Sequence, residues 1–320
     1  MLNDRFNRKI TYLRVSITDR CNLRCIYCMG RNFDFISHDE ILRYKEIERI
    51  VKAGVSCGIR KVRITGGEPL VRKNVVALIA DLAEIKGIEE LSLTTNGLLL
   101  AEHARGLCES GLQRVNVSLD TLHESRFRKI CGAGSLDKVI EGIREANVVG
   151  LKPVKVNVVV MKDMNDDEIE QFVDFSEKED VIVRFIEHMP LKNNSENNRY
   201  FVSHDETIEK IRHRIESEIY SAEEQNSPAR YFKLKGTGRS IGFISPVTHG
   251  FCDRCNRLRL TSDGKLLSCL MAPDGINLKE LVRGGADDSE IKSAFVQAVK
   301  SKGKQGVFAE SSTPMHSVGG

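Results

Sequence analysis

The chain has 320 residues, 41% hydrophobic and 29% charged, which is enough apolar content for a sizeable core and excludes intrinsic disorder by composition. Its net charge of +3, from 48 basic and 45 acidic residues, gives no reason for a nucleic-acid partner, although local arginine clusters can still meet a phosphorylated small molecule. The chain lacks both a run of about 18 apolar residues and a signal-peptide core near MLNDRFNRK, so a cytoplasmic protein with no membrane span is expected.

Six short β-branched runs set the rhythm of the first two-thirds: Leu13–Thr18, Val62–Thr65, Leu91–Thr95, Val115–Leu119, Val154–Val160 and Val181–Glu187. They read as mostly apolar on both faces, as strands buried in a parallel sheet should be. Between them lie helical patterns. Ser37 and Glu40 form a candidate capping box ahead of Ile41, Tyr44, Ile47, Ile50 and Val51, and similar patterns fall near 73–86, 98–110, 135–149 and 165–178. Six β/α units suggest a partial barrel or a doubly wound sheet.

The rhythm stops near residue 190. Leu191–Asn198 is polar, and Ser203 with Glu206 predicts a capped helix running to about Ser217. Tyr231–Val247 and Arg257–Leu270 read as hairpins, the second turning at Asp263–Gly264. A helix is expected over 288–301, followed by a polar tail from Lys302 that ends in Gly319–Gly320. The expected division is therefore 1–217, an α/β unit, and 218–320, a smaller α+β region.

Nine cysteines, an odd number, argue against a disulfide framework and toward metal binding or plain burial. Cys21, Cys25 and Cys28 follow the first strand in a C-x3-C-x2-C pattern. Three thiolates can hold three irons of a 4Fe–4S cluster and leave the fourth iron open, although a zinc site lacking one ligand and three unrelated thiols are the competing readings. Gly66-Gly67-Glu68-Pro69 follows the second strand. Its glycines allow close backbone approach to a ligand, and Glu68 can accept hydrogen bonds from an ammonium. A second trio, Cys252, Cys255 and Cys269, is spaced so that the chain returns through the Asp263–Gly264 turn to close a three-thiolate site. Structural zinc with His249 as fourth ligand competes there too. Cys57, Cys108 and Cys131 have no such spacing.

The first cysteine motif and the GGEP run resemble those of the radical S-adenosylmethionine (SAM) superfamily. Two three-cysteine clusters, the RLR run after Cys255 and the segments RVSITDRCNLRCIYC, RITGGEPL, LTTNG, NVSLD, KVNVV, RFIEHM and FCDRCNRLRL resemble one family within it nearly end to end, the molybdenum cofactor biosynthesis A proteins, which are GTP 3′,8-cyclases. The resemblance implies a partial (βα)6 TIM-like radical SAM barrel with a C-terminal α+β iron–sulfur region. It implies two 4Fe–4S clusters, one on Cys21, Cys25 and Cys28 that chelates SAM and one on Cys252, Cys255 and Cys269 that faces the guanine of GTP. Tyr27, Gly67, Ser118 and Met189 would line the SAM site. Arg14, Arg63, Thr94, Lys155, Arg257, Leu258 and Arg259 would bind GTP. The Gly-Gly end would reach the active site. The reaction implied starts when reduced cluster and SAM give a 5′-deoxyadenosyl radical. That radical takes hydrogen from the ribose 3′ carbon, and the resulting radical attacks C8.

Arg14, Arg63 and Lys155 lie in or beside different apolar strands, where buried positive charge calls for an anionic ligand. The resemblance further implies a homodimer and a downstream partner, cyclic pyranopterin monophosphate synthase; no motif encodes the electron donor. Two other readings stay open at this level. One is another twin-cluster radical SAM enzyme acting on a peptide or a different nucleotide, and the other is an iron–sulfur or zinc-containing regulatory or nucleic-acid-binding protein.

Overall fold

The computed structural model describes residues 1–28, 34–190, 199–219, 227–306 and 318, so the polar run 191–198 and Gly319–Gly320 lie outside the described residues. Six parallel strands form the centre of one sheet: β1 (Tyr12–Ser16), β2 (Lys61–Thr65), β3 (Glu90–Thr95), β4 (Arg114–Ser118), β5 (Lys155–Val160) and β6 (Ile182–Glu187). Helices α1 (Tyr44–Cys57), α2 (Val75–Ala83), α3 (Leu100–Glu109), α4 (Glu124–Cys131), α5 (Leu136–Val148) and α6 (Ile169–Lys178) connect them. The chain then forms α7 (His204–Lys210), β7 (Ile215–Ile219), β8 (Ala229–Leu234), β9 (Ser240–Ile244), β10 (Arg257–Leu260), β11 (Lys265–Leu267), β12 (Ile276–Asn277), α8 (Leu278–Arg283) and α9 (Asp288–Lys300).

The later strands extend both edges of the same sheet. β10 pairs parallel with β1, and β9 pairs parallel with β6, giving the order β12-β11-β10-β1-β2-β3-β4-β5-β6-β9-β8-β7. The first and last strands of that order do not pair, so the barrel is partial. Both expected hairpins form, as β8–β9 and β10–β11. Gly264 turns the second at φ +88°, where a Cβ would stand 2.6 Å from the Cβ of Lys279.

The central strands differ from the expected apolar-on-both-faces pattern. Leu13, Val15, Val62, Ile64, Leu91, Leu93, Val115 and Val117 are buried in the core, while Tyr12, Arg14, Arg63, Thr94, Asn116 and Ser118 line the opposite, concave face. Period-two alternation follows because that face borders a ligand-sized cavity rather than a second packed layer.

Two helix expectations change. Ser37 makes no side-chain cap, and residues 38–40 form a 3-10 turn. The helix begins at Tyr44, where the Glu46 carboxylate accepts from the Arg43 amide at 2.7 Å. The second box is real. Ser203 Oγ accepts from the Glu206 amide at 3.2 Å, and Glu206 accepts from the Ser203 amide at 2.9 Å. However, α7 stops at Lys210, and Ile215–Ile219 joins β8 as a strand. Cross-strand pairs hold it there: Arg230 forks onto Glu218 at 2.6–2.7 Å, and Lys233 meets Glu216 at 3.2 Å. Among the described residues no helix is long and apolar enough to cross a membrane.

Candidate active site

The concave face encloses a cavity of about 570 Å³. Its lining includes Cys21, Cys25, Cys28, Tyr27, Gly67, Ser118, Met189, Arg14, Arg63, Thr94, Lys155, Arg257 and Arg259. Of the residues expected to meet SAM or GTP, the exception is Leu258. Strand alternation turns its side chain away from Arg257 and Arg259 into the core, where it is fully buried.

The loop after β1 carries the first trio and is held from two sides. Gly67 and Glu68 donate their amides to the carbonyls of Thr18 and Arg20 at 2.6 and 2.7 Å. A Cβ at Gly67 would stand 2.4 Å from the Arg20 carbonyl oxygen, and one at Gly66 2.9 Å from that of Thr18. The glycines are thus required for docking the two loops on each other. On the other side, Arg24 and Ile26 donate to the carbonyls of Cys131 and Ile130.

Glu68 does not face the cavity, contrary to its expected role toward an ammonium. It is buried and accepts from the amides of Leu70 and Asn96 and from the Thr95 hydroxyl at 2.6–2.9 Å. Burial pushes it up to about 7 even against those bonds. It fixes the loop, and the carboxylate that does line the cavity beside the first trio is Asp120, which the sequence reading missed. Asp120 accepts from the Tyr27 hydroxyl at 2.7 Å and from the Val159 amide at 2.9 Å, and burial pushes it up to about 6.

The three thiols of the first trio are free and lie close enough to repel one another electrostatically when ionised. Burial pushes Cys21 up to about 11 and Cys28 further. The Leu23 amide points at Cys21 Sγ from 3.3 Å, and Asn96 Nδ2 does so from 3.7 Å. Such thiols become thiolates only when a cation shares their charge, so the donor set fits a metal cluster.

The second trio lies behind the cavity wall. Its neighbours Phe251, Asn256, Arg257 and Leu270 line the cavity and the three cysteines do not. Burial raises Cys255, but Arg257, Lys302 and Arg259 outweigh it and bring the thiol down to about 7. Lys302 is itself buried and donates to the carbonyls of Arg257 and Ser268 at 3.0 and 2.5 Å. The Met271 amide points at Cys269 Sγ from 3.5 Å. These donors fit a thiolate-held metal group as well.

The rest of the cavity is strongly basic. Arg14, Lys61, Arg63, Arg114, Lys155, Arg184, Arg257 and Arg259 line it, against the carboxylates of Glu90, Asp120 and Glu187. Register produces this concentration. Arg259, Arg14, Arg63, Ser92 and Arg114 occupy one row across β10, β1, β2, β3 and β4. Burial, followed by repulsion from Arg259, holds Arg14 well below the ordinary arginine range, and burial, followed by Arg257, lowers Arg259 to about 10. Lys155 donates to the Tyr231 hydroxyl at 3.0 Å and is lowered by burial. The hydroxyls of Tyr12 and Thr94, Nε of Arg257 and Nδ1 of His188 are buried at the cavity without a hydrogen-bond partner among the described residues. A polyanionic, hydrogen-bonding ligand would satisfy both the charge and these atoms.

Sequence reasoning overlooked Lys61, Arg114 and Arg184. The signal was present for Arg184, a cation inside the apolar run VIVRFI, as for Arg63 in VRIT. Val318 is fully buried and its carbonyl accepts from Arg259 Nη1 at 3.4 Å.

Comparison with known proteins agrees with this geometry. Residues 15–176 match the radical SAM superfamily, and residues 181–308 match Molybdenum Cofactor Synthesis C. The GTP 3′,8-cyclase of Thermodesulfovibrio yellowstonii is 49% identical over the full length of both chains. That of Peptoclostridium acidaminophilum is 45% identical, covering 95% of this chain and 93% of its own. Among solved structures, Streptococcus suis SuiB bound to S-adenosylmethionine matches with a TM-score of 0.65 at 18% identity, over 92% of this chain and 68% of that one. AnSMEcpe with bound AdoMet matches with a TM-score of 0.51 at 20% identity, over 62% of this chain and 55% of that one. These two likenesses concern the fold alone. The chain belongs to the radical SAM superfamily and, within it, to the GTP 3′,8-cyclase family.

Proposed function

We propose that this chain converts GTP to 3′,8-cyclo-7,8-dihydro-GTP, the first step of molybdenum cofactor biosynthesis, in a cavity that takes SAM, GTP and the 4Fe–4S cluster of the first trio, with a second 4Fe–4S cluster at its wall. The observation that carries the reading is the arginine row of Arg259, Arg14, Arg63 and Arg114, which faces the same cavity as Cys21, Cys25 and Cys28. A triphosphate matches such a row, whereas an ordinary peptide does not.

Cys21, Cys25 and Cys28 hold the cluster that meets SAM, with Tyr27, Gly67, Ser118 and Met189 around it. Cys252, Cys255 and Cys269 hold the second cluster. When bound, the first cluster and SAM supply the radical that abstracts hydrogen from the substrate. The chain's residues do the rest by placement. Arg14, Arg63, Lys155, Arg257 and Arg259 take the phosphates, while Thr94 offers its unpartnered hydroxyl to a polar group of the nucleotide. Tyr27 and Asp120, bonded at 2.7 Å, set a polar edge beside the first trio. Val318, whose carbonyl accepts from Arg259, helps to exclude water. The product would pass to a cyclic pyranopterin monophosphate synthase.

The test is anaerobic: protein reconstituted with iron and sulfide, then given dithionite, SAM and GTP. Formation of 5′-deoxyadenosine together with a cyclised nucleotide is expected. SAM cleavage that leaves GTP unchanged overturns the substrate assignment.

A further inference from the structure

We propose that His204, Asp205 and His249 form a site for one divalent transition-metal ion of the zinc type, separate from both cysteine trios. One ligand atom from each residue lies within 4.8 Å of the others. The two imidazoles meet edge to face with centroids 4.9 Å apart, and His249 Nε2 stands 3.5 Å from Asp205 Oδ1. His249 therefore engages Asp205 and His204, a different set from the sulfur site suggested by its place in the sequence.

The surroundings are built to hold these three residues together. Glu187, at the end of β6, is buried and accepts from the amides of His204, Val247 and Thr248 at 2.8–3.1 Å, and from the Thr248 hydroxyl. One carboxylate thereby fixes the start of α7 and the loop before Cys252. The ring of His204 packs on Phe243 and Phe232, with centroids 5.0 and 6.4 Å away. Ser245 Oγ meets its Nδ1 at 2.9 Å. An oriented partner on one ring nitrogen fixes the tautomer and frees the other nitrogen, which is the usual support of a metal-bound histidine. Burial, with His249 beside it, also keeps His204 toward the neutral form that ligates.

Two imidazoles and a carboxylate suit zinc and its borderline neighbours rather than calcium or magnesium. Asp205 and His249 are exposed, so rotamer adjustment can close the remaining distance to bonds of about 2.0–2.1 Å. The ion would clip α7 to the loop that carries Phe251 and Cys252, stiffening the approach to the second trio.

The test uses anaerobic protein already loaded with iron and sulfide, equilibrated with zinc chloride, passed through a desalting column and analysed for metals. One zinc per chain is expected beyond the iron. His249→Ala and Asp205→Asn should each lose that zinc with iron content unchanged, and Ser245→Ala should weaken zinc affinity by about 10–100-fold. Zinc-edge X-ray absorption should give nitrogen and oxygen ligands only. No zinc uptake, zinc retained by both variants, or a sulfur shell at about 2.3 Å would overturn the proposal.

Discussion

Arg14 and Arg259 stand side by side in parallel register on β1 and β10, although they come from opposite ends of the chain. The C-terminal region therefore completes the basic wall of the barrel while also carrying the second cysteine trio.

That wall is electrostatically unfavourable on its own. Arg14 is lowered by burial and by Arg259, and Arg63 by burial, with Arg114 and Arg184 opposing its charge. GTP should raise thermal stability, by about 2.7 kcal/mol at a hundredfold excess over its Kd. Arg14→Met should stabilise the ligand-free protein by about 1–3 kcal/mol while weakening GTP binding by about 2–5 kcal/mol. Paired thermal melts and binding titrations check both signs.

Glu68 should make stability depend on pH. Its folded value of about 7 exceeds the ordinary 4.5, so the folded state holds the proton more tightly across that window. Stability should fall as pH rises through it, by up to about 3 kcal/mol, and stay low above about 7. Urea unfolding of the cluster-free protein at the two ends of the window should show the fall, and Glu68→Gln should flatten it.

Arg8 should decide whether the second trio is loaded. It is buried, paired to Asp4, and donates to the carbonyls of Cys252, Gly303 and Lys304. It thereby ties the second cysteine loop to the root of the tail. Arg8→Ala should reduce iron from about eight toward about four atoms per chain while SAM cleavage persists. Iron analysis with electron paramagnetic resonance of the reduced protein reads this out.

What could be read in the sequence was what is local. Both cysteine trios are set by covalent spacing, and the β/α order follows from short apolar runs between helical patterns. Arg14, Arg63 and Lys155 were legible because a cation inside an apolar strand needs a reason. The row they form was not, since it depends on strand register between distant segments. Glu68 looked like a ligand residue, and only the docking of two loops turns it inward. Ile215–Ser217 looked like the end of a helix, because the ion pairs that favour the extended form come from the partner strand β8 and are invisible in the local pattern.

The most direct test of the central claim compares the wild-type chain with Cys252→Ala under anaerobic reconstitution with SAM, GTP and dithionite. The variant should still form 5′-deoxyadenosine but yield no cyclised nucleotide, and its iron should fall to about four atoms per chain. A variant that cyclises GTP as well as the wild type, or a wild-type protein that holds zinc at the second trio and still cyclises GTP, would contradict the two-cluster cyclase.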